Sequence, residues 1–171
     1  MPVARQHHGN ATDTPTNLPR LEVVIEIPRG SFMKRGSSGE LDFISPLPCP
    51  YNYGSVENLI GLEGDLLDAV VLGPRLQRGE RVSVYAVGAI GLTDRGMYDD
   101  KIICTSDPGA TTRRFPVLLF FRFYAKCKGL LNLLRGRTGR NASNGWCDAA
   151  EAISRAQPRK DSRWTGPVIP F

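Results

Sequence analysis

The chain has 171 residues, 41% hydrophobic and 23% charged, with a formal net charge of +5; that length supports one substantial core rather than two. The most apolar stretch, Phe115 to Leu134, is broken by Arg122, Lys126 and Lys128, each costly at mid-bilayer, so no membrane span is expected and the stretch reads as a core helix. Cys49, Cys104, Cys127 and Cys147 are widely spaced without a C-x-x-C, which argues against a zinc ribbon or a redox pair, while the basic balance favours an anionic partner.

Residues 1–20, MPVARQHHGNATDTPTNLPR, lack the apolar stretch of a secretory signal. Their polar, proline-containing composition suits a disordered lead-in, and the cytoplasm is the expected location. One domain is expected over 21–156. LEVVIEIPR (21–29) and ELDFIS (40–45) both alternate, so they are expected to pair as a hairpin across the Gly- and Ser-rich GSFMKRGSSG. Val24 and Pro28 share the parity of Glu26, which suggests an inward face for that acid. PLPCPYNYG (46–54) reads as a non-helical connection. LLDAVVLG (66–73), RVSVYAVGAIGLT (81–93) and DDKIICTS (99–106) follow as strands. Five or more strands with short links predict an antiparallel barrel or sandwich. The period then changes: Phe120, Tyr124, Cys127, Leu131 and Leu134 recur at helical spacing, and Asp148 to Ala156 suits a second, shorter helix. From Gln157 to Phe171 an extended surface tail is expected.

Six of the 17 acidic residues fall in two windows, Glu63 to Asp68 and Asp94 to Asp100. Carboxylates beside buried apolar strands need a compensating cation. On a straight strand Glu63 and Asp65 share one face and Asp68 points away; Gly64 allows the bend that would bring them together. In LTDRGMYDDK, a Gly-containing hairpin would set Asp94 opposite Asp99. Asp99 and Lys101 then share a face and Asp100 points away. Grouped oxygen donors with an adjacent ammonium suit a complex of Mg²⁺ and phosphate.

VVIEIPRG, Lys34, PYNYG, EGDLLDAVV, GLTDRGMYDDK and FFRFYAKCK occur in that order over Leu21 to Lys128, and the series resembles the soluble family I inorganic pyrophosphatases. The resemblance implies an α+β, mainly β fold: a five-stranded OB-like antiparallel barrel flanked by C-terminal helices. It implies hydrolysis of pyrophosphate with several Mg²⁺ ions, and often a homo-oligomer. Transferred by motif, Asp65 resembles the general base, and Glu63, Asp68, Asp94 and Asp99 resemble metal ligands. Glu26 resembles a supporting acid of the metal site, and Lys34, Tyr53, Lys101 and Tyr124 resemble phosphate-binding groups.

The chain departs from the family pattern at defined places. Glu63 and Leu66 stand where the family has Asp and Pro, and Glu reaches about one methylene further. Gly36 replaces an acid, and no basic residue lies between Leu41 and Ser45 where a phosphate-binding arginine is expected; Arg29 and Arg35 are nearby candidates. Ala125 follows Tyr124 in place of a lysine. On a helix Lys126 is rotated about 200° from Tyr124, whereas Lys128 lies on the same face and is the candidate substitute. These losses keep alive a protein of the same fold with lost or altered phosphoanhydride specificity. A third class, an OB-like nucleic-acid module, would use Arg135, Arg137, Arg140 and Trp146, although the run LLRGRTGRNASNGW otherwise reads as a solvated post-helical loop. The acidic focus argues against it, because without metals those carboxylates repel phosphates.

Overall fold

The computed structural model describes residues 18–35, 41–44, 48–94, 96–109, 111–134, 136 and 142–160, with the backbone alone at 33–35, 41–44, 94, 128 and 131–134. In chain order the elements are β1 (Arg20–Ile27), β2 (Met33–Arg35), β3 (Leu41–Ile44), β4 (Asn52–Ile60), β5 (Leu66–Leu72), β6 (Arg81–Asp94), β7 (Met97–Tyr98), β8 (Lys101–Thr105), α1 (Arg114–Leu134), β9 (Ala142–Cys147), α2 (Ala149–Arg155) and β10 (Gln157–Pro158).

Five strands close on themselves in the order β1, β4, β5, β8, β6, with β6 returning to β1. Closure removes the sheet edges that would otherwise stay unpaired. This is the mainly β, OB-like barrel expected. Four of its pairings are antiparallel, and β5 with β8 is parallel, with Ala69 opposite Ile102. β6, at 14 residues, is long enough to serve β1 along its first part, β8 along its middle, and β9 and β7 along its end.

Two apolar layers divide the strands by parity. Val23, Ile25, Val56, Leu67, Ala69, Val71, Ala86, Ile102 and Cys104 fill the barrel, with Ala149 and Ala152 of α2 packed against them. Val70, Ile90, Ile103 and Tyr53 face outward into a second layer, covered by Val117 and Phe121 of α1. The helical spacing of Phe120 and Tyr124 is confirmed, but Val117 and Phe121 are the most buried residues of that face and Phe120 and Tyr124 flank them. In α2, Asp148 is the N-cap, its carboxylate accepting from Glu151 N at 3.0 Å, as its short polar side chain allows.

Three expectations are corrected. The hairpin of 21–29 with 40–45 does not form: β3 pairs with β2 in a separate two-stranded sheet, and β1 pairs with β4 and β6. PYNYG, read as a connection, leads into β4 at Asn52, and Asn52 is buried because its amide finds partners on both atoms. Asn52 Oδ1 accepts from Arg29 N at 3.0 Å and Leu76 N at 2.9 Å, while Nδ2 donates to Val71 O at 3.2 Å and Pro74 O at 2.8 Å. Gly54 lets β1 approach: a Cβ there would lie 2.0 Å from Val24 O. Asn144 to Trp146, read as loop, belong to β9, whose Trp146 ring occupies the space beside Gly88. Of the expected tail, Gln157 and Pro158 pair with β4; the expected lead-in to residue 17 and the tail from 161 lie outside the described residues.

Candidate metal and phosphate site

β5 and β8 run parallel, so Asp68 and Lys101, near the starts of these strands, emerge at the same end of the barrel. Asp68 shares the outward parity of Val70, and Lys101 that of Ile103, so both lie on the face that α1 covers. The bend at Gly64 is present: φ is 91°, Gly61 N donates to Asp65 O at 2.8 Å, and the turn delivers Glu63 to the same place. The second window does form a hairpin, with Gly96 at φ 89°, but its register sets Thr93 opposite Tyr98 and Asp94 opposite Met97, not Asp94 opposite Asp99 as expected. Asp99 N then donates to Leu92 O at 2.9 Å.

Carboxylate oxygens of Glu63, Asp68 and Asp99 lie within 4.8 Å of one another. Octahedral donors at 2.0–2.1 Å from Mg²⁺ lie about 2.9 Å apart when adjacent and about 4.2 Å when opposite, so these three oxygens would draw closer together to ligate one small hard cation. The donor set therefore fits a divalent metal. Lys101 sits among them, 2% exposed, and its ammonium bonds both Asp68 and Asp99. Burial alone would pull that ammonium down, but Asp68 and then Asp99 outweigh it and hold Lys101 above the ordinary lysine range. Burial, then the hydrogen-bonded Asp99, pushes the Glu63 carboxyl up to about 8, so this corner of the cluster favours an added positive charge, whether a proton or a metal cation. One ammonium thus faces three carboxylates, of which Glu63 holds a proton more readily than an ordinary glutamate.

Tyr53 donates its hydroxyl to Asp68. Burial, then the Asp68 charge, raises Tyr53 well above the usual phenol range, which keeps it a donor. Tyr124 stands on the covering helix, stacked on Phe120 at 6.3 Å, close enough to bear on both Tyr53 and Lys101. Glu26 is the extra residue at an irregularity between Ile25 and Ile27. It does not face the barrel interior, as its parity with Val24 and Pro28 suggested; the interior side belongs to Val23 and Ile25. Its carboxylate instead accepts from Ser55 Oγ at 2.7 Å, and Ser55 is the cross-strand partner of Asp68.

The structure thus brings together Glu63, Asp68, Asp99, Lys101, Tyr53 and Tyr124, with Glu26 one hydroxyl removed. Asp65 is exposed on the turn and is not one of the three clustered carboxylates. The side chains of Lys34, Asp94 and Lys128 lie outside the described residues, although the backbones of β2, β6 and α1 carry them. The sequence reading missed Arg155, which lies in the last turn of α2 and pairs with Asp100. Trp146, the aromatic of the nucleic-acid reading, is half-buried with Arg114 5.1 Å over its ring. Arg135, Arg137 and Arg140 of that reading are outside the described residues. No described helix is long and apolar enough to cross a membrane.

Comparison with known proteins agrees with this arrangement. An inorganic pyrophosphatase from Streptomyces coelicolor is 36% identical over 97 residues, covering 51% of this chain and 60% of that protein. One from Halalkalibacterium halodurans is 34% identical over 99 residues, with 52% and 60% covered. The chain therefore spans about 60% of the length of these relatives. The crystal structure of inorganic pyrophosphatase from Thermus thermophilus superposes with a TM-score of 0.64 at 25% identity, covering 80% of this chain and 86% of that one. The Helicobacter pylori inorganic pyrophosphatase gives 0.63 at 25% identity, with 82% and 94% covered. The family model for inorganic pyrophosphatase matches residues 23–115, which span every described residue of the carboxylate cluster, and on that match the chain belongs to the inorganic pyrophosphatase family.

Proposed function

We propose that this protein hydrolyses inorganic pyrophosphate to two phosphates with Mg²⁺ as cofactor. The observation that carries the reading is the convergence of Glu63, Asp68 and Asp99 around a buried Lys101 in a chain of this family. Glu63, Asp68, Asp94 and Asp99 hold the metal ions, with Glu26 as a supporting acid. When bound, the ions polarise phosphoryl oxygens and help activate the attacking water. Asp65, exposed at the head of β5, accepts the proton of that water. Lys101 is the counter-ion of Asp68 and Asp99; with a metal ion held by those carboxylates, its ammonium would be available to bond a phosphate oxygen. Tyr53, held protonated, donates to phosphate in the same way, joined by Tyr124, Lys34 and Lys128.

Cys104, Cys127 and Cys147 form no disulfide among the described residues, which suits a reducing compartment and supports a cytoplasmic location. Phe115, Leu119 and Phe123 form an exposed apolar row at helical spacing on α1, and this supports association with a second copy. The test is phosphate release from pyrophosphate by purified protein, with and without Mg²⁺, beside the same assay on nucleoside triphosphates. Mg²⁺-dependent release from pyrophosphate is expected. No release from pyrophosphate would overturn the assignment, and release from nucleotides in its place would redirect it to another phosphoanhydride.

A further inference from the structure

Asp99 is flanked by two residues that meet the same guanidinium. Asp100 is 7% exposed and turns to the opposite side from Asp99 and Lys101. Its Oδ2 accepts from Arg155 twice, from Nε at 3.0 Å and Nη2 at 2.7 Å. Its Oδ1 is buried without a hydrogen-bond partner among the described residues, so Oδ2 carries all of its anchoring. Tyr98, on the other side of Asp99, lays its ring 6.0 Å from the Arg155 guanidinium. The remaining amine of Arg155, Nη1, bonds Glu151 Oε1 at 2.9 Å on its own helix. α2 is itself seated, with Ala149 and Ala152 packed against the barrel core and Asp148 capping its start.

From this arrangement we infer that Arg155 is a positioning residue for the metal site. It grips the chain at 98 and 100, and so sets the direction in which Asp99 and Lys101 leave the segment between. The inference rests on the reading above that Asp99 holds a metal ion. Arg155 lies beyond residue 115, outside the stretch matched by the family model, so the C-terminal helix becomes a working part of the site rather than a cover for the barrel. The physical warrant is that groups bonded behind a ligand fix its orientation, and losing one costs about 10–100-fold in metal affinity or activity.

The test is calorimetric titration of Mg²⁺, and of Mn²⁺ as a second probe, into the full chain of wild type, Arg155→Met, Arg155→Lys and Glu151→Gln, with circular dichroism to follow folding. Arg155→Met is expected to bind the metal about tenfold more weakly. Arg155→Lys, which keeps the charge and one contact, should recover part of that loss. Glu151→Gln, which disturbs the helix and not the grip, should bind as wild type does. Should Arg155→Met fail to fold, Tyr98→Leu removes one arm of the grip at an exposed position and is expected to weaken binding several-fold. Wild-type affinity in a folded Arg155→Met overturns the inference while leaving the proposed function standing, as does an equal loss in Glu151→Gln, which would mark a role in helix stability alone. A wild type that binds neither metal overturns both.

Discussion

Replacing Lys101 by Met isolates the electrostatics of the site from its chemistry. The side chain is 2% exposed and bonds two carboxylates, one of them, Asp99, only 4% exposed. Lys101 is the ammonium among three clustered carboxylates, of which Glu63 has a raised proton affinity; removing it leaves Asp68 and Asp99 without their cationic partner in the same space. Breaking a buried pair by deleting one partner costs about 3–5 kcal/mol. Asp68 is 18% exposed and partly screened by water, so the lower end, about 3 kcal/mol, is expected, or a fall of about 6–12 °C in Tm for a chain of this size. The measurement is urea unfolding in the presence of a chelator, repeated with excess Mg²⁺. A cation bound only to the folded state at 100 times its Kd restores about 2.7 kcal/mol, and the variant should gain more than the wild type because its carboxylates have no other counter-ion. A variant as stable as wild type in chelator would refute the claim that Lys101 compensates these acids. A variant destabilised but indifferent to Mg²⁺ would refute the claim that they form a cation site.

Asp65→Asn should abolish phosphate release from pyrophosphate with the circular dichroism spectrum unchanged, since the residue is exposed on its turn; retained turnover would remove it from the role of base. Asn52→Ala strands four backbone groups that the side chain now satisfies. At about 1 kcal/mol for each lost bond, unfolding in urea should show a loss of about 3–4 kcal/mol, and a loss under 1 kcal/mol would show that the connection around it re-forms without the amide. Gly88→Ala would set a Cβ 2.1 Å from the Trp146 ring, so β9 must shift, at a cost of about 3 kcal/mol in the same assay; unchanged stability would mean the ring has room to move.

What the sequence disclosed was local. Gly64 between two acids, and Gly96 between Asp94 and Asp99, announce bends within a few residues, and both bends are present. The opposite facing of Asp99 and Asp100 follows from strand parity alone and is seen in their separate partners, Lys101 and Arg155. Where partners come from far along the chain, the reading failed. β4 opens with Asn, Tyr, Gly and Ser, poor advertisements for a core strand, because Asn52 is satisfied by residues 29, 71, 74 and 76, and Gly54 is shaped by β1. Glu26 was assigned to the wrong face because the parity of Val24 and Pro28 misleads: the buried parity of β1 is that of Leu21, Val23, Ile25 and Ile27, and Glu26 lies off it. Arg155 lies 55 residues from Asp100, and no spacing rule joins them.

The parallel pairing of β5 with β8 sets a condition on when the site can exist. The acids of the first window and the lysine of the second belong to strands that become neighbours only after β6 and β7 have been laid between them in sequence. Pairings across such distances form late and slowly. A growing chain that has not yet delivered residue 99 holds the carboxylates of 63 and 68 without Asp99 or the ammonium that completes them, and the two groups meet only when β8 pairs with β5, so cation affinity should arrive with that pairing rather than before it. In refolding, the cation then acts as a clasp on the seam between β5 and β8, and its arrival reports the completion of that seam.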